Sequence, residues 1–384
     1  MRETHIILIA ITIIAIVAVS TLFTRLPQDT SVESTHETSE QTSQQHTGIP
    51  ESQGIETSES KRTENQTGNV SVESETQSLL SVVDWQGVNV TLQAPARTII
   101  SLSSGMTELI YALGCGDKII GRDSYSEFPP EVLNRPVVAP HSYHPPLEQI
   151  LELKPDLLVA NTNLVYDEND TRKTLEAVGI AVYVDETSSP SRVKECIRNL
   201  GTLLGVEERA RRLIEFIEYY ENLIKIRLSN ISESEKPKVY FEIFREWNTA
   251  AYGSIANELL EFVGAINIAA DLTTPYPIVS PEFVVDKNPD MIIRMKMSWD
   301  PDYPELYEKI KNRPELRYVN AIVNNKIFLY DPNIMQGFRY PVGLLYWAKW
   351  LHPNLFNDIN PEVIHSQLVQ EFLGLPLEGT YAYP

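Results

Sequence analysis

The sequence predicts an α/β protein of two similar lobes with mainly parallel sheets, joined by a long interlobe helix and preceded by an N-terminal membrane segment and a disordered tether. Three observations carry that expectation. First, Glu148-Gln-Ile-Leu-Glu-Leu-Lys-Pro155-Asp156-Leu-Leu-Val159 and Glu282-Phe-Val-Val-Asp-Lys-Asn-Pro289-Asp290-Met-Ile-Ile293 share the glutamate, two apolar positions, an acid, the Pro-Asp pair and an apolar triplet. Second, Thr107-Glu-Leu-Ile-Tyr-Ala-Leu-Gly114 and Asn257-Glu-Leu-Leu-Glu-Phe-Val-Gly264 match in the same chain order. Third, the stretch between the repeats keeps apolar residues at helical spacing from Ile197 to Leu228. Strand and helix units repeated in one order build the same small lobe twice. A gap between two lobes is a preferred place for a small molecule.

At the N-terminus, Ile6 to Phe23 carries no charge and is dominated by Ile, Ala and Val, with Arg2 before it and Arg25 after it. Such a run is just long enough to cross a hydrocarbon core of about 30 Å. Residues 1–26 are therefore expected to be a membrane anchor or signal segment, and either one exports the remainder. No cysteine follows the run, so a lipid anchor by that route is excluded. Residues 27–80 are Ser, Thr, Glu and Gln with few large apolar side chains. They bury too little surface to offset ordering, and a disordered tether is expected.

The first lobe is expected over 81–191. Arg97 to Leu102 is a β-branched strand, and Met106 to Leu113 follows with helical spacing. Gly114 suits the left-handed turn that ends a helix. Ile119-Ile120 is a second strand. Pro146 opens another helix at little cost, and Pro155 stops it because the residue before a proline disfavours helix. Leu157–Ala160 and Ala181–Val184 are apolar runs of the kind buried on both faces, and their alternation with helices indicates a mainly parallel sheet. Over 192–236 the spacing fits one helix, or two broken near Gly205, with a face packed on both lobes. A helical strut of this kind permits only small opening angles. The second lobe, 237–384, restarts at Lys238–Phe244 and continues with a helix from Ala256 to Val263 that Gly264 stops. A helix from Glu282 to Lys287, strands Met291–Arg294 and Ile327–Tyr330, and a covering amphipathic helix Tyr340–Trp350 complete it. The first lobe has extra residues between its helix-ending glycine and the shared glutamate.

The net charge of −20 argues against a nucleic-acid partner, which would want a basic stripe. Only Cys115 and Cys196 are present, without a CxxC, so a cysteine metal site is not expected. Two buried free thiols are expected ahead of a bridge. No Gly-x-Ser-x-Gly elbow, His-Glu-x-x-His or phosphate-binding glycine loop occurs, so no enzyme is expected. The rival reading, a hydrolase or metalloenzyme, would need a coupled acid–base cluster in the cleft.

Ile99–Gly114, Gly121–Pro130, Leu147–Asp156, Gly264–Ile268 and Val279–Glu282 together resemble one receptor class, in its order, over roughly residues 85–355. The class is the substrate-binding proteins of ABC importers for iron–siderophore complexes, haem and cobalamin, whose lobes are joined by one long helix. The resemblance implies an extracytoplasmic, monomeric receptor tethered to the cell membrane. Its implied partners are an ABC permease with its ATPase and a small-molecule metal chelate, with no enzymatic cofactor. In that family one glutamate per lobe docks with permease arginines, which implies Glu148 and Glu282, the pair that the internal repeat aligns. Carboxylate and arginine make directional, often bidentate bonds. The plainer alternative is that both acids favour the positive ends of their helices.

Loops at the ends of parallel strands face the gap between lobes. Candidates there are Arg122, Tyr125, Tyr143, Arg245, Trp247, Tyr252, Tyr276, Trp299 and Arg339. Aromatic faces cover the organic body of a chelate, and arginines hold carboxylate, catecholate or hydroxamate oxygens. Each aromatic has core packing as its alternative, and each arginine a solvated face. The resemblance places Tyr125 and Tyr276 at positions that line the pocket in cobalamin-binding relatives. His141-Ser-Tyr-His144 stands where those relatives carry a tryptophan-containing loop. An iron chelate, siderophore or haem, is therefore expected ahead of a corrinoid. A bare metal ion held by His141 and His144 is a third reading. Tetrahedral zinc wants three or four ligands, and His352 and His365 belong to the C-terminal cap. A sensory ectodomain that binds without import is the remaining alternative.

Overall fold

The computed structural model describes residues 79–143, 145–166 and 170–384, so the expected membrane segment, most of the tether and His144 lie outside the described residues. A short antiparallel hairpin, β1 (Leu80–Val83) with β2 (Asn89–Leu92), begins the described chain. The first large sheet comprises β3 (Ile99–Leu102), β4 (Ile119–Asp123), β5 (Val137–Ala139), β6 (Leu157–Asn161) and β7 (Ala181–Asp185). Its order is β5-β4-β3-β6-β7 and every pairing is parallel. The second comprises β8 (Lys238–Glu242), β9 (Ile266–Asn267), β10 (Met291–Met295), β11 (Ile327–Tyr330) and β12 (Ala382–Tyr383). Its order is β9-β8-β10-β11-β12, parallel except for the antiparallel edge strand β12.

Four strands of one sheet, β4-β3-β6-β7, correspond in order and direction to β9-β8-β10-β11 of the other. The sequence repeat is thus a repeat of topology. After β3 comes α1 (Ser104–Ala112), capped by the Ser103 hydroxyl and closed by Gly114 at φ +76°. After β8 comes α6 (Ile255–Phe262), capped by Ser254 and closed by Gly264 at φ +69°. The repeated glutamates open α2 (Leu147–Leu153) and α7 (Pro281–Lys287). Each of these helices ends on a left-handed residue, Lys154 at φ +47° and Asn288 at φ +43°, immediately before the Pro-Asp pair. The aspartates show why that pair recurs. Asp156 accepts from the backbone N–H groups of Arg97 and Thr98, at the start of β3. Asp290 accepts from the N–H of Lys238, at the start of β8. In both lobes the carboxylate ties the entry of one central strand to the entry of its neighbour. The extra residues of the first lobe become β5, which the second lobe lacks.

Most expected and observed boundaries differ by a few residues, but the interlobe helix expected to reach 236 ends at Leu228. The strand at Lys238 stops at Glu242 because Phe244 turns out at φ +58°. Between the sheets run two helices, α4 (Pro190–Leu204) and α5 (Glu207–Leu228), broken at Gly205 with φ +70°. A Cβ on Gly205 would meet the Pro95 ring at 2.7 Å. The 22 residues of α5 span about 33 Å. Among the described residues five further α-helices follow: α3 (Thr171–Glu176), α8 (Tyr303–Lys311), α9 (Asn320–Val323), α10 (Tyr340–Leu351) and α11 (Pro361–Leu373).

Strand alternation assigns each sheet two buried faces, as parallel sheets require. Ile99 and Val159 from the first sheet and Phe241 and Ile293 from the second join Leu213, Ile217 and Ile224 of α5 in one continuous core. The opposite faces, with Ile100 and Leu158 in one and Tyr240 and Ile292 in the other, form a separate core in each lobe. Cys115 and Cys196 are buried free thiols. Among the described residues no helix is long and apolar enough to cross a membrane.

Candidate functional site

The carboxyl ends of the strands in both sheets open onto one cavity of about 370 Å³. Its two walls differ in chemistry. The first-lobe wall is polar throughout: Ser103 and Ser104 beyond β3, Asp123 at the end of β4 and Tyr125 beyond it, Asn161 and Asn163 at the end of β6, with His141, Ser142 and Ser188. The second-lobe wall is mainly apolar, although Tyr276, Tyr330, Asn333 and Gln336 also line it. Ile243 and Phe244 come from the turn after β8, Leu259 from α6, Met295 and Met297 from the end of β10, and Trp347 from α10.

Each wall is held by buried bonds behind it. Asp123 Oδ1 accepts from the Ser126 backbone N–H at 2.9 Å and the Ser126 hydroxyl at 2.6 Å. A chain of hydroxyls continues from Ser126 to Thr107 and Ser101 at 2.8 and 2.7 Å. Burial pushes the Asp123 carboxyl up to about 6, against the pull of those bonds and the charge of Arg122. Asn163 is 2% exposed; its N–H donates to Asn161 Oδ1, while its own Oδ1 has no partner. On the other wall, fully buried Glu242 receives Arg313 through two bonds, at 2.7 and 2.8 Å, and the Trp247 N–H at 3.0 Å. That ion pair pins the turn that presents Phe244. Phe244 lies 6.1 Å from the half-buried ring of Tyr276, and Trp347 packs behind at 5.4 Å from Phe241.

Of the nine sequence-derived ligand candidates, Tyr125 and Tyr276 line this cavity. The other seven do not. Arg122 spends its guanidinium on the carbonyls of Arg135, Asp123 and Ser126. Tyr143 packs edge-on to His141 at 5.6 Å. Trp247 lies against Arg313, 5.0 Å from its guanidinium, partly buried on the edge of the second-lobe core. Arg245 and Tyr252 are solvent-facing, Tyr252 at 71% exposure, and Trp299 is partly exposed outside the cavity. Arg339 joins the lobes: it pairs with Glu108 of α1 and lies 4.8 Å from the Phe128 ring, lining a neighbouring cavity of about 330 Å³. Sequence reasoning missed Asp123, Asn161 and Asn163. A signal was present, because polar residues end the otherwise apolar strand of β6, where parallel strands deliver ligand groups. Nothing in the sequence marked Trp347, a helix residue that reaches the cavity only through the packing of α10.

Glu148 and Glu282 are exposed and occupy the first turns of α2 and α7, matching positions in the two lobes. The backbone N–H of Glu282 and the Ser280 hydroxyl hold its carboxyl below the usual range. Among the described residues no group of three His, Cys, Asp or Glu is placed to hold a metal ion.

Paired α/β lobes on a helical strut, with a cavity where their strand ends converge, define a two-lobed binding protein. The chain belongs to the periplasmic binding protein family, whose sequence profile matches residues 99–334. It is 28% identical to the uncharacterized ABC transporter substrate-binding lipoprotein YvrC of Bacillus subtilis, over 73% of this chain and 87% of that protein. It is 33% identical to the vitamin B12-binding protein of Vibrio cholerae, over 52% of this chain and 70% of that protein. Its fold matches the TroA-like periplasmic binding protein FepB from Veillonella parvula with a TM-score of 0.68 at 22% identity, covering 79% of this chain and 99% of that one.

Proposed function

We propose that this protein is the extracytoplasmic receptor of an ABC importer, capturing a metal chelate between its lobes and delivering it to the permease. The single observation that carries this reading is the cavity to which both lobes contribute walls, each built at the carboxyl ends of duplicated strands. The relatives whose names specify ABC transport and vitamin B12 binding support it. The cargo is an iron chelate or a corrinoid. Tyr125 and Tyr276 at the cavity, together with the B12-binding relatives, bring the corrinoid level with the iron chelate expected from the His141 loop. In this reading Ile6–Phe23 tethers the receptor to the membrane, and Glu148 and Glu282 each meet an arginine of one permease half.

Titrating the full-length protein with ferric siderophores, haem and cobalamin while following tryptophan fluorescence tests the ligand class. Trp347 at the cavity makes a saturable change the expected result, and no response to any chelate contradicts the reading. Replacing Glu148 and Glu282 together by Ala is expected to leave chelate binding within twofold and to abolish uptake. Undiminished uptake refutes the docking role.

A further inference from the structure

Resting on the receptor function proposed above, we infer that the cargo is a chelate without net negative charge that lays an N–H-bearing face on the first lobe and an apolar face on the second. The asymmetry of the walls carries this. Ser103, Asp123, His141, Asn161 and Asn163 face one side, whereas the other is mainly apolar, with Phe244, Leu259, Met295, Met297 and Trp347 outweighing the amides of Asn333 and Gln336. Among the described residues no lysine or arginine lines the cavity, and Asp123 brings a carboxylate to it. An anion drawn into such a gap would lose its hydration, gain no counter-charge and meet a like charge. The nearby arginines are committed elsewhere, Arg122 to three backbone carbonyls and Arg339 to Glu108.

Asn163 gives the inference its positive side. Its Oδ1 is an acceptor without a partner on a side chain that is 2% exposed and lines the cavity, and Asn161 fixes its backbone. His141 Nδ1 on the same wall is also unpartnered. A buried acceptor left open costs free energy that a ligand donor recovers. Carboxamide arms of a corrinoid, or the amide and ammonium groups of a linear trihydroxamate, supply such donors. A ferric tricatecholate is strongly anionic and haem presents carboxylates, and neither suits this wall.

The test compares four probes on the full-length protein: cyanocobalamin, a cationic ferric trihydroxamate, a ferric tricatecholate and haem, each titrated by tryptophan fluorescence. The expected result is saturable binding of cyanocobalamin or the trihydroxamate at least 100-fold tighter than either acidic probe. Asn163→Leu should then weaken the preferred probe by about tenfold, the scale of one lost buried hydrogen bond. An unchanged melting midpoint of Asn163→Leu separates lost binding from misfolding. Equal or tighter binding of the tricatecholate or haem overturns the charge inference while leaving the receptor function standing. An Asn163→Leu protein that folds and binds normally overturns the role of the acceptor. Failure of all four probes removes the receptor function and this inference with it.

Discussion

His365 shows how one buried residue makes this fold sensitive to acid. It is fully buried on α11 and its Nε2 lies 3.4 Å from Arg339 Nη1. Arginine only donates, so Nε2 accepts and the proton of the neutral ring sits on Nδ1, which has no partner. Burial, reinforced by the Arg339 charge, pushes the imidazole down to about 3. The unfolded chain takes up this proton near pH 6.5 and the native chain does not, so stability is full above pH 6.5 and is lost as pH falls toward 3. The loss should reach roughly 2 kcal/mol by pH 5. Urea unfolding at pH 7 and pH 5 should give a change about 2 kcal/mol less favourable to folding in the native protein than in His365→Gln, a comparison that cancels groups common to both such as Asp123; the same change in both would refute the assignment. At this scale the sequence was half legible. Tyr125 and Tyr276 could be placed at the cavity by motif, whereas an arginine such as Arg122 gives no sign in sequence that neighbouring carbonyls will occupy it. Arg339 likewise could not be read as an interlobe pair, because its partner Glu108 lies far away in the chain.

Among the elements, α5 decides how the lobes relate. Its Glu221, 8% exposed, accepts from Lys194 of α4 at 2.6 Å and from the Tyr340 hydroxyl of α10. One carboxylate therefore links the strut to a helix on each side of it. Glu221→Ala leaves a buried hydroxyl and a partly buried ammonium without their acceptor, and should cost about 2–4 kcal/mol. Glu221→Gln keeps an acceptor for the hydroxyl and should cost less. Chemical denaturation of both variants checks the order, and an alanine variant within about 0.5 kcal/mol of the native protein would contradict it. The elements themselves were largely readable, because Gly114, Gly205, Gly264 and the Pro-Asp pairs mark their ends with backbone requirements. Strand β5 was not, since Val137–Ala139 is too short to show a period and exists only by pairing with β4.

For the whole molecule, duplication supplies the architecture and divergence supplies the site. The two lobes keep the same strand order and the same aspartate ties, yet one presents hydroxyls, amides and a carboxylate where the other presents mainly methionine, aliphatic and aromatic side chains. The repeat was visible in sequence because it preserves residues that shape the backbone. The contrast between walls was not, because most of it lies at strand ends, in turns and on α10, outside the repeated segments. A continuous core through α5 makes the lobes hinge stiffly, so cargo should be gripped by small adjustments at the strand ends. The most direct test is hydrogen–deuterium exchange of the full-length protein with and without a saturating chelate. Simultaneous protection of the segments around Asp123–Tyr125, Asn161–Asn163, Phe244 and Met295–Met297 is the predicted result. Protection confined to one lobe, or centred away from these strand ends, would contradict a cargo held between the two.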